Sequence, residues 1–221
     1  MLLILWLLLY PRDDTPVLDY PQTLDAVAAR HAALAAAWRA DGADKAALTA
    51  QAETALTDAV AALYPHWYGT PWSYNGTTRV PGQGSIACGY FVTTLLADAG
   101  LRLPRIKMAQ APSERMIRAL VGAAYVQRFS NVDITRFLEA VRARGVGLYV
   151  VGLDYHVGFL HVTDDAVWFV HSSFWEPSEV FRIKAEDSFD LRTSGYRVIG
   201  KLSDPALLEK WLTGRPVPFQ P

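Results

Sequence analysis

The sequence HVGFLHVTDDAVWFVHSS at residues 156–173 decides the fold. Two runs rich in β-branched and aromatic residues flank the turn-forming residues 163–166, which is the pattern of an antiparallel hairpin. Three further runs of the same texture lie around it, at residues 147–153, 179–183 and 196–202. Together these runs predict a mainly antiparallel sheet of about five strands.

The register of the hairpin determines which polar side chains meet. We expect Val162 to pair with Val167, so that a loop of even length joins the two strands. His171 would then lie opposite Gly158 and diagonally from His156, on the same face of the sheet. Diagonal neighbours are about 7–8 Å apart, within reach of aromatic side chains. The glycine leaves space between the two imidazoles.

The other polar residues of this region are given different roles. A loop of three residues would place Ser172 across from His156, and its hydroxyl would then orient the imidazole; we favour His171. His161 points to the opposite face of its strand and is expected to be structural. His31, on an alanine-rich helix, and His66, in a loop, are expected to have packing or surface roles.

Apolar residues at helical spacing predict helices elsewhere in the chain. These comprise a hairpin within residues 22–63 with a break at 41–43, a helix at 88–99, two helices near 112–126 and 132–143, and a closing helix at 204–213. A loop rich in glycine, proline and aromatic residues separates the first two groups. With the sheet, these helices predict an α+β fold.

The chain divides into three parts. Segment 1–20 opens with the apolar block MLLILWLLLY, which is too short for a membrane-spanning helix but suits the apolar core of an export signal. The basic flank and cleavage site of a signal are missing, yet we expect a periplasmic, secreted or membrane-tethered protein. The alternative is a core strand or an N-terminus packed on the domain, in a cytoplasmic protein. Residues 21–66 form the helical hairpin. Residues 67–221 form a catalytic domain with a helical insertion at 106–144.

Composition restricts the classes of function. With 221 residues, 51% of them hydrophobic and 19% charged, the chain can bury a core and is not a disordered tail. The formal charge is −1 and the basic residues are scattered, which argues against a nucleic acid partner. Because Cys88 is the only cysteine, the chain has neither an internal disulfide nor a Cys-x-x-Cys metal site.

Cys88 and two histidines form the candidate catalytic group. Cys88 is predicted to open a helix, where free backbone N–H groups favour the reactive thiolate. A lone cysteine is more often an inert buried residue, but His156 as general base and His171 as its orienting partner give it a coherent role. A zinc site is the weaker alternative, because the two histidines supply only two of the three protein ligands that hydrolytic zinc usually needs. We therefore expect no metal and no other cofactor.

These residues resemble the NlpC-type cell-wall peptidases, a branch of the papain-like superfamily. The resemblance covers about half of the chain. Its segments are GTPWSYNGTT at 69–78, ACGYFVTTLLADAGLRLPR at 87–105, and HVGFL followed by VWFVHSS in the hairpin. It implies a papain-like fold in which the helix bearing Cys88 packs on an antiparallel sheet, and a Cys-His-His hydrolase acting on amide bonds in peptidoglycan stem peptides or related peptides, without a metal.

The chain departs from this family at several places. The usual Pro-Gly-Asp-Leu turn before the histidine strand is absent, and the helical insertion at 106–144 fills the interval. The family usually has Asp-Cys-Ser at the nucleophile, whereas residues 87–89 are Ala-Cys-Gly. A family tyrosine that points at the site is replaced by Trp72, with Tyr74 two residues later. Trp72, Tyr74 and Ser172 are the candidate substrate-binding residues, and packing of an aromatic loop is the alternative role for Trp72 and Tyr74. These departures keep open a second function, a catalytically silent module that binds cell-wall or peptide ligands.

Overall fold

The computed structural model describes residues 18–219. Helices α1 (Tyr20–Arg39) and α2 (Lys45–Leu63) form the predicted hairpin, and their first turns are capped by the side chains of Asp19 and Asp44. The apolar block at residues 1–10 lies outside the described residues. Within the described part, no helix combines the length and the hydropathy that crossing a membrane requires.

Six antiparallel strands form one sheet in the order β1-β6-β2-β3-β4-β5. The strands are β1 (Val126–Ser130), β2 (Gly147–Leu153), β3 (Val157–Val162), β4 (Val167–Ser172), β5 (Val180–Lys184) and β6 (Tyr196–Lys201). Strands β2 to β6 coincide with the five predicted runs. The α+β class is therefore confirmed.

The remaining helices cover both faces of this sheet. They are α3 (Cys88–Asp98), α4 (Arg105–Ala109), α5 (Ser113–Leu120), α6 (Ile134–Arg142), α7 (Phe189–Thr193) and α8 (Pro205–Thr213). Alternation along β2 shows the two layers, because Leu148 and Val150 join the core beneath α2, α3 and α5 whereas Tyr149 and Val151 pack towards α6. Cys88 thus begins a helix that packs on the sheet.

The region between α3 and β2 differs from its prediction. The prediction of a helix near 112–126 was wrong beyond Leu120. Helix α5 ends there, and Gly122 donates its N–H to the carboxylate of Asp204. The chain then forms the edge strand β1, which pairs with β6. Only Phe129 of this strand is fully buried, so its sequence carries too little alternation to indicate a strand.

The predicted hairpin register is confirmed. Val162 pairs with Val167, and the same register continues to Phe159 and Val170. A Cβ atom added to Gly158 would lie 2.9 Å from the Cβ atom of His171, closer than side chains approach one another. The glycine is therefore required by the side chain beside it, as the sequence indicated.

Candidate active site

Two buried histidines form the centre of the site. The Nε2 atom of His156, immediately before β3, lies 2.8 Å from the Nδ1 atom of His171 in β4, which is a hydrogen bond between the rings. Only 5% of His156 and 1% of His171 is exposed. The sheet register predicted from sequence thus brings the two side chains together.

Aromatic packing fixes the orientation of both rings. His171 stacks on Phe169, with ring centroids 4.1 Å apart, and meets the edge of Phe181 at 4.7 Å. The ring of Phe174 lies 5.6 Å from that of His156. Rings held in this way lose little further entropy when they take part in proton transfer.

The histidine pair is uncharged in the resting protein. Burial lowers the pKa of His156 to about 3 and lowers the pKa of His171 well below the ordinary histidine value. Among the described residues, nothing hydrogen-bonds to Nδ1 of His156 or to Nε2 of His171. A neutral imidazole with a free Nδ1 atom is able to accept a proton there, provided that Nε2 carries the other proton.

Cys88 is the first residue of α3 and is partly buried. Ala87 has no side chain that could cap the helix, so the first backbone amides are not used by a capping oxygen. Burial raises the pKa of the Cys88 thiol, while the backbone amides of Val157, Gly89 and Cys88 itself act to lower it. These amides are the groups that would stabilise a thiolate or an oxyanion.

The contact with Val157 connects the thiol to the histidine pair. Val157 directly follows His156, so the Cys88 sulfur lies against the backbone at the start of β3. Among the described residues, Nδ1 of His156 has no hydrogen-bond partner, so no hydrogen bond joins it to the thiol.

The segment that carries Cys88 is fixed to the sheet by Ser172. This hydroxyl is fully buried and donates to the backbone carbonyl of Ile86 at 2.6 Å. The amide of Ala87 donates in turn to the carbonyl of Gly76 at 2.9 Å. Ser172 therefore holds the residues before Cys88 in place, whereas its contact with a substrate stays a prediction.

The two candidate aromatic residues lie in different environments. Trp72 packs against Phe174, with ring centroids 5.9 Å apart, and through it adjoins His156. Tyr74 is 82% exposed. Trp67, which precedes both in the chain, is fully buried and donates its indole N–H to the hydroxyl of Tyr20. Trp72 thus adjoins the histidine pair, Tyr74 lies at the surface, and Trp67 has a packing role.

The other histidines have structural partners. His161 lies 3.0 Å from the hydroxyl of Tyr64, on the side of the sheet that the strand alternation indicated. His31 contacts the carbonyl oxygen of Trp211 at 2.8 Å and stacks on its ring. His66 contacts the hydroxyl of Thr23 at 3.0 Å. All three therefore have packing roles, as expected.

Close packing requires a glycine at position 89, which the sequence did not indicate. The helix α4 crosses so close to the first turn of α3 that a Cβ atom on Gly89 would overlap the carbonyl oxygen of Ala109. No residue with a side chain would fit at position 89 without moving α4.

We expect the substitution Gly89→Ala to lower the free energy of unfolding by about 1–3 kcal/mol, because the added methyl group overpacks this crossing. Urea denaturation measures the change. Gly195→Ala is the matched control, since its added Cβ atom would first meet the side-chain oxygen of Asn131 at 3.4 Å. Equal stability of the two variants would contradict the close approach of α4.

Asp190, in α7, is the site residue that the sequence analysis missed. Its Oδ2 atom lies 3.8 Å from Nδ1 of His171, and its side chain is only 8% exposed. Burial raises the pKa of this carboxyl group to about 6. No motif surrounds Asp190 in the sequence, and only the folding of α7 against β4 brings it to the histidines.

His156, His171 and Asp190 also form a set of candidate metal ligands, with one donor atom from each within 4.8 Å of the others. Zinc bound by two histidines at about 2.0–2.1 Å in tetrahedral geometry holds their nitrogens roughly 3.3 Å apart. The observed 2.8 Å is shorter and is the distance of a hydrogen bond. The pair is therefore arranged for sharing a proton, and a bound metal would have to separate the rings.

Comparisons with protein-family models, with curated proteins and with solved structures find no match to this chain.

Proposed function

We propose that this protein is a cysteine hydrolase that cleaves amide bonds, with Cys88 as nucleophile, His156 as general base and His171 as the orienting residue. The observation that carries the proposal is the buried histidine pair, whose member His156 directly precedes Val157, the residue whose backbone the Cys88 sulfur contacts. In this pair Nε2 of His156 is engaged by His171, while its Nδ1 atom has no partner among the described residues. A base oriented at one nitrogen and free at the other is what a thiol nucleophile requires.

The reaction proceeds in two steps. The Cys88 thiol transfers its proton to Nδ1 of His156 as the sulfur attacks the carbonyl carbon of the amide. His156 then returns the proton to the departing amine, which leaves a thioester on Cys88. In the second step His156 takes a proton from water, the resulting hydroxide attacks the thioester, and the carboxylate product is released as the thiol regains its proton.

Burial penalises a single charge on Cys88 or on His156 more than it penalises the two charges formed together. A thiolate alone or an imidazolium alone is costly in this environment, which raises the pKa of Cys88 and lowers the pKa of His156. Proton transfer between them forms both charges at once, and their attraction offsets part of the cost. The resting site is therefore neutral and charge separation accompanies the attack on substrate.

The backbone amides at the start of α3 can serve as oxyanion donors. The N–H of Cys88 belongs to an uncapped first turn, and the dipole of α3 adds to its effect. A donor of this kind is worth about 2.7–4 kcal/mol to the transition state in hydrolases of similar chemistry. Ala87 favours this role, because a carboxylate at its position would compete for the same amides.

The proposed substrates are peptidoglycan stem peptides or related peptides, by the resemblance of residues 69–78 and 87–105 to NlpC-type peptidases. Mass spectrometry of the protein incubated with soluble peptidoglycan fragments tests this. We expect fragments shortened at an amide bond, and an acyl adduct on Cys88 when the reaction is quenched early. Cleavage without a Cys88 adduct, by a protein that survives thiol alkylation, would contradict the mechanism.

The alternative function is a catalytically silent module that binds cell-wall or peptide ligands. The raised pKa of Cys88 and the absence of a hydrogen bond to Nδ1 of His156 are the observations that favour it. The two functions differ in thiol reactivity, since an activated thiol is alkylated quickly near neutral pH and an inert buried thiol is not. A silent module would bind the same fragments without shortening them.

A further inference from the structure

Asp190 is a buried carboxyl group whose Oδ2 atom lies 3.8 Å from Nδ1 of His171. It lies in the first turn of α7, whose amino terminus is capped by Ser188 rather than by Asp190. The Asp190 carboxylate interacts with the backbone N–H of its own residue. It also lies against the histidine pair, with an oxygen within 4.8 Å of a nitrogen of each ring.

We propose that Asp190 is a positioning residue whose carboxylate stabilises the positive charge that forms on the His156–His171 pair when Cys88 gives up its proton. This inference rests on the proposed function. The proton stays on the histidines throughout, on Nδ1 and Nε2 of His156, with Nδ1 of His171 as acceptor. Asp190 acts through its charge and is not itself protonated in the step.

Burial makes such a charge necessary. An imidazolium formed among Phe169, Phe174 and Phe181 has little water to solvate it, and a carboxylate within 4.8 Å of both rings favours the charged form. The same carboxylate disfavours a thiolate, and its charge contributes to the raised pKa of Cys88. Asp190 thus has opposite effects on the two partners of the proton transfer.

The geometry decides which effect is larger. A nitrogen atom from each histidine lies within 4.8 Å of a carboxylate oxygen of Asp190, and the sulfur of Cys88 does not lie within that distance of all three groups. Since electrostatic interaction weakens with distance, we expect the stabilisation of the imidazolium to exceed the destabilisation of the thiolate. When His156 is absent, only the unfavourable effect on the thiolate is left.

A double-mutant cycle tests this, with the rate of Cys88 alkylation by iodoacetamide as the readout. The rate is measured near neutral pH, with EDTA present, for the wild type, Asp190→Asn, His156→Gln and the double variant. We expect Asp190→Asn to slow alkylation about tenfold when His156 is present. In the His156→Gln background the same substitution is expected to accelerate alkylation about two- to threefold, because the repulsion of the thiolate is removed.

Asp187→Asn is the matched control, because it removes the same charge from an exposed residue in the turn before α7. A rate for Asp190→Asn within twofold of this control would overturn the inference, as would equal slowing in both backgrounds, which indicates a structural role. If His156→Gln does not slow alkylation, the proposed function fails instead. Thermal denaturation checks folding, and Asp190→Ser replaces Asp190→Asn if that variant unfolds.

Discussion

Replacement of Cys88 by alanine is expected to reduce amide hydrolysis roughly 10⁴-fold or more, to the rate of the uncatalysed reaction plus any contribution of binding. The physical reason is that only the Cys88 sulfur forms the bond to the carbonyl carbon. The histidine pair and the backbone amides of α3 assist that step and have nothing to assist without it. Mass spectrometry of soluble peptidoglycan fragments measures the loss. Folding should be preserved, because Cys88 is partly buried and opens its helix without a side-chain hydrogen bond.

The serine variant provides the control for this experiment. Cys88→Ser retains a hydroxyl of nearly the same size, so it separates loss of the thiolate from loss of packing. We expect it to be almost as inactive as Cys88→Ala, because a hydroxyl is far less acidic than a thiol. Substantial activity in the alanine variant would show that another group is the nucleophile. If the wild type binds the fragments without cleaving them, and the Cys88 variants bind them equally well, the silent module is favoured.

The parts of the site that were predicted from sequence are local in the chain. The register of the hairpin is determined by local sequence, because the turn at residues 163–166 and the alternation on either side fix the pairing of Val162 with Val167. That register alone places His171 beside His156. The helix that begins at Cys88 was similarly indicated by its apolar face and by Gly100 after its end.

The unpredicted parts depend on contacts between distant segments. Asp190 reaches His171 through the packing of a five-residue helix, and a helix this short has little periodicity of its own. The overlap between Gly89 and Ala109 depends on where α4 crosses α3. The edge strand β1 owes its structure to pairing with β6 rather than to its sequence pattern.

Replacement of His156 by glutamine is expected to lower kcat by about 10²–10⁴-fold, the usual contribution of a general base, with a small change in KM. Burial lowers the pKa of His156 to about 3, so its imidazole is unprotonated near neutral pH and able to accept the thiol proton. A glutamine amide has similar size but no basic nitrogen. The steady-state rate of fragment cleavage measures the effect.

His161→Gln is the matched control, because His161 lies in β3, which His156 immediately precedes, and points to the other face, where it contacts the hydroxyl of Tyr64. It should leave kcat nearly unchanged even if stability falls. His171→Gln is expected to have an intermediate effect of about tenfold, since the amide can still accept a hydrogen bond from Nε2 of His156. Equal kcat values for His156→Gln and His161→Gln would show that His156 is not the general base, because only His156 belongs to the histidine pair.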